Sequence, residues 1–172
     1  MNLKQAVKNG IEIVKLNESA MRSVAGNKNN FVEALLILII AGIASAIGQL
    51  NPVGIVIYPI GFLIGEFTWI GILWLIAMLL GGKGSYSEYF KTLVHADVAM
   101  WITVIPFIGP LIGALVGLWL IVVAVVITKT IHKLSTLKAV LVILIPIIII
   151  LVLVFLFAAA LIAAILGGAM MQ

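Results

Sequence analysis

Three ionisable residues of this chain stand inside otherwise apolar sequence: Glu66, His95 and Asp97. A carboxyl near the middle of a membrane helix costs about 2.5–3.5 kcal/mol on insertion scales and usually faces a bundle interior. Glu66 is such a residue, and two chemistries suit it. It is either a proton or cation site, or a carboxyl kept neutral by desolvation and hydrogen-bonded to a neighbouring helix. A relay joining it to Asp97 and His95 is disfavoured by depth. At 1.5 Å per residue Asp97 lies about 9 Å beyond Lys91, while Glu66 lies about 21 Å from the inner end of its helix, which leaves about 12 Å between their levels. Two residues apart on a helix, His95 and Asp97 point about 200° apart and form no local pair. His95 is therefore expected at the membrane interface, and no metal site is expected.

Other chemistry is poorly provided for. With no cysteine and two histidines, His95 and His132, a zinc or haem cluster lacks ligands. The run Gly81-Gly82-Lys83-Gly84-Ser85 fails the phosphate-loop pattern, because glycine follows the lysine and the upstream glycine is missing. It reads as a helix stop with a basic anchor. No Ser/His/Asp order and no paired-carboxylate arrangement stands out, so neither an enzyme nor a cofactor is expected.

The elements that must position these residues are membrane helices. The 172 residues are 65% hydrophobic and 9% charged, with a mean hydropathy of +1.36. Soluble domains are about 45–50% apolar and about 25% charged, so a soluble globular protein is excluded. Between Phe31 and Gly82 the charges are Glu33 and Glu66, and the run breaks at Gln49-Leu50-Asn51-Pro52, giving helices over roughly 32–49 and 54–80. From Thr92 to Thr128 the charge is Asp97, with Pro106-Phe107-Ile108-Gly109-Pro110 at the centre, so a helical hairpin is expected over roughly 88–105 and 109–128. From Ala139 to Gln172 there is no charge, and Pro146 is carried as a kink in a fifth helix, roughly 139–166. The expected fold is all-α with five transmembrane helices. All 10 Lys and Arg then fall on one side, which places the N-terminus in the cytoplasm and the C-terminus outside.

Residues 1–30 form a separate amphipathic cytoplasmic segment ahead of the five-helix domain at 31–172. The segment is studded with charge and is not a signal peptide. Leu3, Val7, Val14 and Met21 share one face, with Ala6, Gly10 and Val24 beside them. Lys4, Lys8, Lys15 and Arg22 cluster within about 40° along its border. An apolar face edged with base suits a helix lying in the headgroup layer, where each basic residue near anionic lipid contributes about 1 kcal/mol. Docking on the protein's own cytoplasmic loops is the alternative. The basic balance marks a membrane surface, and no nucleic-acid partner is expected.

Small residues recur every fourth position. Gly109, Gly113 and Gly117 do so in the fourth helix, Gly61 and Gly65 in the second, and Ala160, Ala164 and Gly168 in the fifth. Such spacing lets backbones approach closely, either within the bundle or across an oligomer interface.

Three stretches resemble the Yip1-domain family of multi-pass membrane proteins. The first is Leu80-Gly81-Gly82-Lys83-Gly84-Ser85-Tyr86-Ser87-Glu88-Tyr89-Phe90. The second is Ile105-Pro106-Phe107-Ile108-Gly109 with the glycine-spaced helix to Trp119, and the third is His132-Lys133-Leu134-Ser135-Thr136-Leu137-Lys138-Ala139. The resemblance spans roughly residues 30–160 and implies five helices with a cytoplasmic N-terminus. It also implies homo- or hetero-oligomers, and in eukaryotes ER and Golgi membranes, Rab GTPases and vesicle traffic. The family's long N-terminal cytoplasmic domain is replaced here by about thirty residues, which weighs against GTPase binding. The Ile, Lys and Asn richness suits a prokaryotic cell membrane. The leading expectation is a non-enzymatic membrane adaptor or organiser that contacts the bilayer, anionic headgroups and other membrane proteins. The competing one is a small transporter or channel using Glu66 as a proton or cation site.

Overall fold

A computed structural model describes residues 2–169, with side chains described through Ile162. In chain order the elements are α1 (Leu3–Val14), α2 (Glu18–Gly26), α3 (Asn30–Gly48), α4 (Gly54–Leu79), α5 (Tyr86–Ala96), a 3₁₀ helix (Asp97–Val104), α6 (Ile108–His132) and α7 (Thr136–Ala169). Four of these, α3, α4, α6 and α7, are long and apolar enough to cross a membrane.

The expected helix over 88–105 is divided. Its first 11 residues are α-helical and the next 8 are 3₁₀. At about 1.5 and 2.0 Å per residue the two pieces together still run about 32 Å if aligned. The tighter stretch is pinned where backbones meet closely: the Thr103 carbonyl sits where a Cβ on Gly48 would stand, and it is 2.7 Å from where one on Gly109 would stand. The connection that follows reverses through a γ-turn at Phe107, φ 64° and ψ −49°, closed by the Ile108 N–H donating to the Pro106 carbonyl at 2.7 Å.

The amphipathic N-terminal segment is two helices, not one. Leu16 takes φ 65°, and Asn17 then caps α2 by accepting from the Ser19 and Ala20 amides. Most of its apolar face is covered by protein: Ala6, Ile13, Met21 and Val24 are fully buried in one core with Phe90, Val94 and Ile127, Val7 and Val14 are half-buried against it, and Leu3 is exposed. This corrects the expectation of a helix whose apolar face lies in lipid. That face meets α5 and α6, and Gly10 makes the approach possible, since a Cβ there would meet the His95 carbonyl and Val98. Lys4, Lys8, Lys15 and Arg22 remain exposed.

The connections gather at two ends. At one, the Lys83 amide donates to the His132 carbonyl at 3.1 Å and the Lys138 ammonium to the Leu80 carbonyl at 2.8 Å. At the other, Gly48 and Gly109 meet at Thr103. α7 follows the bundle only through its first turns. Ala139, Val142 and Ile143 are buried, as is Pro146, but from Ile148 to Ile162 every side chain is exposed.

Candidate functional site

α4, α5 with its 3₁₀ extension, α6 and α7 line a half-open cavity of about 390 Å³. Its walls are apolar side chains such as Phe62, Trp69, Leu120 and Ile147, and the two carboxyls on it are Glu66 and Asp97. Gly117 widens it, because a Cβ at that position would meet nothing within 4 Å. Glu66 stands at the middle of α4, and Asp97 stands where α5 tightens into 3₁₀ geometry. Among the described residues neither carboxyl forms an ion pair; the pairs present are Lys15–Glu12 and Arg22–Glu18, and His95 stands 4.0 Å from Glu33.

The depth argument that separated these two carboxyls is thereby corrected. It took Lys91 as the membrane level, but α5 begins at Tyr86 and Lys91 is buried. Counted from Tyr86, Asp97 is about 17 Å along. Counted from Leu79, Glu66 is about 20 Å along, so the levels differ by about 3 Å.

His95 lies on the opposite side of α5 from the cavity and is fully buried, not interfacial. Its Nδ1 donates to the Lys91 carbonyl at 2.7 Å. Its Nε2 lies 4.0 Å from Glu33 Oε2 and makes no hydrogen bond. Glu33 Oε1 accepts the Asn2 amide at 3.0 Å, which ties the start of α1 to α3. Lys91 Nζ donates to the Ala25 and Asn27 carbonyls at 2.7 and 3.0 Å, satisfying groups at the C-terminal end of α2 that the helix itself leaves open. Asn30 Nδ2 donates to the Val24 carbonyl at 3.1 Å. Further along α6, Trp119 Nε1 donates to the Val14 carbonyl at 3.0 Å. These buried polar contacts make the N-terminal pair of helices part of the bundle. Sequence reasoning used Glu33 and Lys91 only as charge markers. A charge within one turn of an apolar span was the signal available for each.

The loop from Gly81 to Ser85 closes over His132. A Cβ on Gly82 would stand 2.7 Å from His132 Nδ1, and one on Gly84 would stand 2.8 Å from Ile131. Trp74 Nε1 donates to the Gly84 carbonyl at 3.1 Å. Tyr89 meets the His132 ring edge-on at 4.6 Å, and its hydroxyl bonds Thr128 Oγ1 at 2.7 Å. Ser85 and Glu88 form a capping box that starts α5. The Ser85 amide and hydroxyl each donate to the Glu88 carboxylate at 2.8 Å. The packing is a loop clamp, with no cradle of amides for a phosphate.

The glycine seams divide. Gly109 and Gly113 abut Thr103, so they serve the bundle. Gly61 and Gly65 are exposed, and a Cβ on either would meet nothing within 4 Å. Ala160 is exposed, while the side chains of Ala164 and Gly168 lie outside those described. Among the described residues no group of three or more His, Asp or Glu is placed to hold a metal ion.

Compared with known families, the chain matches the Yip1 domain over residues 18–159. No curated protein and no solved structure matches.

Proposed function

The chain belongs to the Yip1-domain family, and from that premise we propose that it is a membrane adaptor or organiser that works by packing its helices against those of other membrane proteins. It is an integral membrane protein with several apolar spans. In this reading it crosses five times, with 86–104 as the third crossing and the N-terminus in the cytoplasm. Two features support that topology. The connections gather at two ends, and every Lys and Arg belongs to the N-terminal segment or to the end that holds Lys83 and Lys133. Lys4 and Lys8, which are exposed, contact anionic headgroups, alongside the paired Lys15 and Arg22. The composition suits a prokaryotic cell membrane.

The observation that carries the adaptor reading is the outer face of α4. Gly61 and Gly65 stand four apart with open space beyond them, among exposed Ile57, Ile60 and Ile64. In lipid, helices associate through close backbone approach at small residues, not through an apolar driving force. The described uncovered part of α7 is all large aliphatic or aromatic from Ile148 to Phe157, and its exposed small residues, Ala158 to Ala160, come only beyond that stretch. A second copy of this chain is the simplest partner for α4. The test is a Gly61→Leu/Gly65→Leu variant expressed in native membranes. A Cβ at either position meets nothing within 4 Å, so the variant is expected to fold while crosslinked assemblies are lost. Assemblies unchanged in the variant would end the reading.

A second reading, a small transporter or channel, is favoured by the cavity shared by Glu66 and Asp97. It predicts that Glu66→Gln abolishes flux in proteoliposomes while leaving the fold intact.

A further inference from the structure

The cavity between α4, α5, α6 and α7 has a composition that selects its occupant. Small-molecule sites are concave, mostly apolar and oriented by a few polar groups, with volumes of about 300–1,000 Å³. This one, at about 390 Å³, is large enough for a compact organic molecule. Of the 17 residues that line it, two are ionisable, and both are acidic. They lie on different elements, Glu66 on α4 and Asp97 at the end of α5, so they approach the cavity from two walls. Trp69 lines the same space and offers an aromatic face of the kind that attracts cations.

An inorganic cation suits this cavity poorly. A bare ion at such depth must exchange its hydration shell for protein oxygens, commonly six or more for calcium or magnesium. Two carboxylates supply at most four, and the remaining lining is hydrocarbon and indole. An organic cation with its charge spread over an apolar body resolves both difficulties. Its body packs along the apolar walls, and its charge answers two carboxyls that no described cation pairs. Access from the bilayer is also provided for. α7 contributes only Ile143 and Ile147, on either side of Pro146, and past Ile147 its described side chains are exposed and none lines the cavity.

We propose that this cavity is a binding site for a lipophilic organic cation, with Glu66 and Asp97 as its charge partners and the aliphatic and aromatic walls holding the body. Binding, not flux, is what is inferred, so the proposal stands or falls apart from either functional reading.

The experiment uses the full chain in nanodiscs of zwitterionic lipid, with radiolabelled tetraphenylphosphonium as the probe. The parent shows saturable binding. Glu66→Gln and Asp97→Asn each weaken it by about tenfold or more, as expected for truncating one partner of a desolvated charge contact. The double variant removes it. Gly117→Leu fills the cavity without touching a charge and also weakens binding. Surface Glu18→Gln leaves it unchanged. Absence of saturable binding by the parent, or parent-like binding by the double variant, overturns the proposal. Should the carboxyl variants fail to fold, Gly117→Leu decides, and unchanged binding there overturns it equally.

Discussion

Gly82 and Gly61 look alike in sequence and differ in what an added methyl would meet. At Gly82 it would meet the His132 ring, and at Gly42 it would stand 2.5 Å from the Pro59 nitrogen; at Gly61 and Gly65 it would meet nothing. Gly42→Ala and Gly82→Ala are therefore expected to destabilise by about 1–3 kcal/mol, the usual cost of overpacking. Gly61→Ala and Gly65→Ala should shift stability by less than about 0.5 kcal/mol. Thermal unfolding in one detergent distinguishes the two pairs. The four-residue spacing was legible in the sequence; which seam turns inward was not, because it depends on the Thr103 backbone reaching Gly48 and Gly109. Lys91 was misread for the same kind of reason. Its ammonium bonds two carbonyls at the end of α2, so Lys91→Met strands those groups and should cost about 1–3 kcal/mol, seen as earlier proteolysis of residues 1–28. Glu88→Ala removes one half of the capping box that starts α5 and should cost about 1 kcal/mol, measured by thermal melting.

Among the elements, the four long apolar helices were legible within a few residues, because length and hydropathy alone set them. The third segment was legible as a crossing-length apolar run and illegible as a division into α and 3₁₀ pieces, since Asp97–Val104 carries no glycine or proline to announce it. The amphipathic period of residues 3–24 was also present, yet an apolar stripe does not say whether lipid or protein covers it. Asn17 ahead of Glu18 was an unused capping signal for the break between α1 and α2. The γ-turn gives a test at this scale. Phe107 holds a positive φ while the residue is 84% exposed, a conformation that burdens a bulky residue and suits glycine. Phe107→Gly should leave the melting temperature unchanged or raised. A fall of several degrees would show that the aromatic ring, not the backbone, governs that turn.

For the molecule as a whole, the connections gather at two ends, with Lys83, His132 and Lys138 at one and Gly48, Thr103 and Gly109 at the other. The cavity could not be read in advance. Its two carboxyls are 31 positions apart, and they meet because α5 starts at the loop clamp over His132, which sets how far Asp97 reaches along the bundle. The chain's lack of cysteine makes the direct test of the adaptor account clean. Single cysteines replace Gly61, Gly65 or Gly113, and each variant is oxidised in native membranes and run without reductant. The account predicts intermolecular adducts, to a second copy or to another membrane protein, from Gly61→Cys and Gly65→Cys, and none from Gly113→Cys, which faces Thr103 inside the bundle. Folded protein that yields no adduct at either α4 position would contradict it.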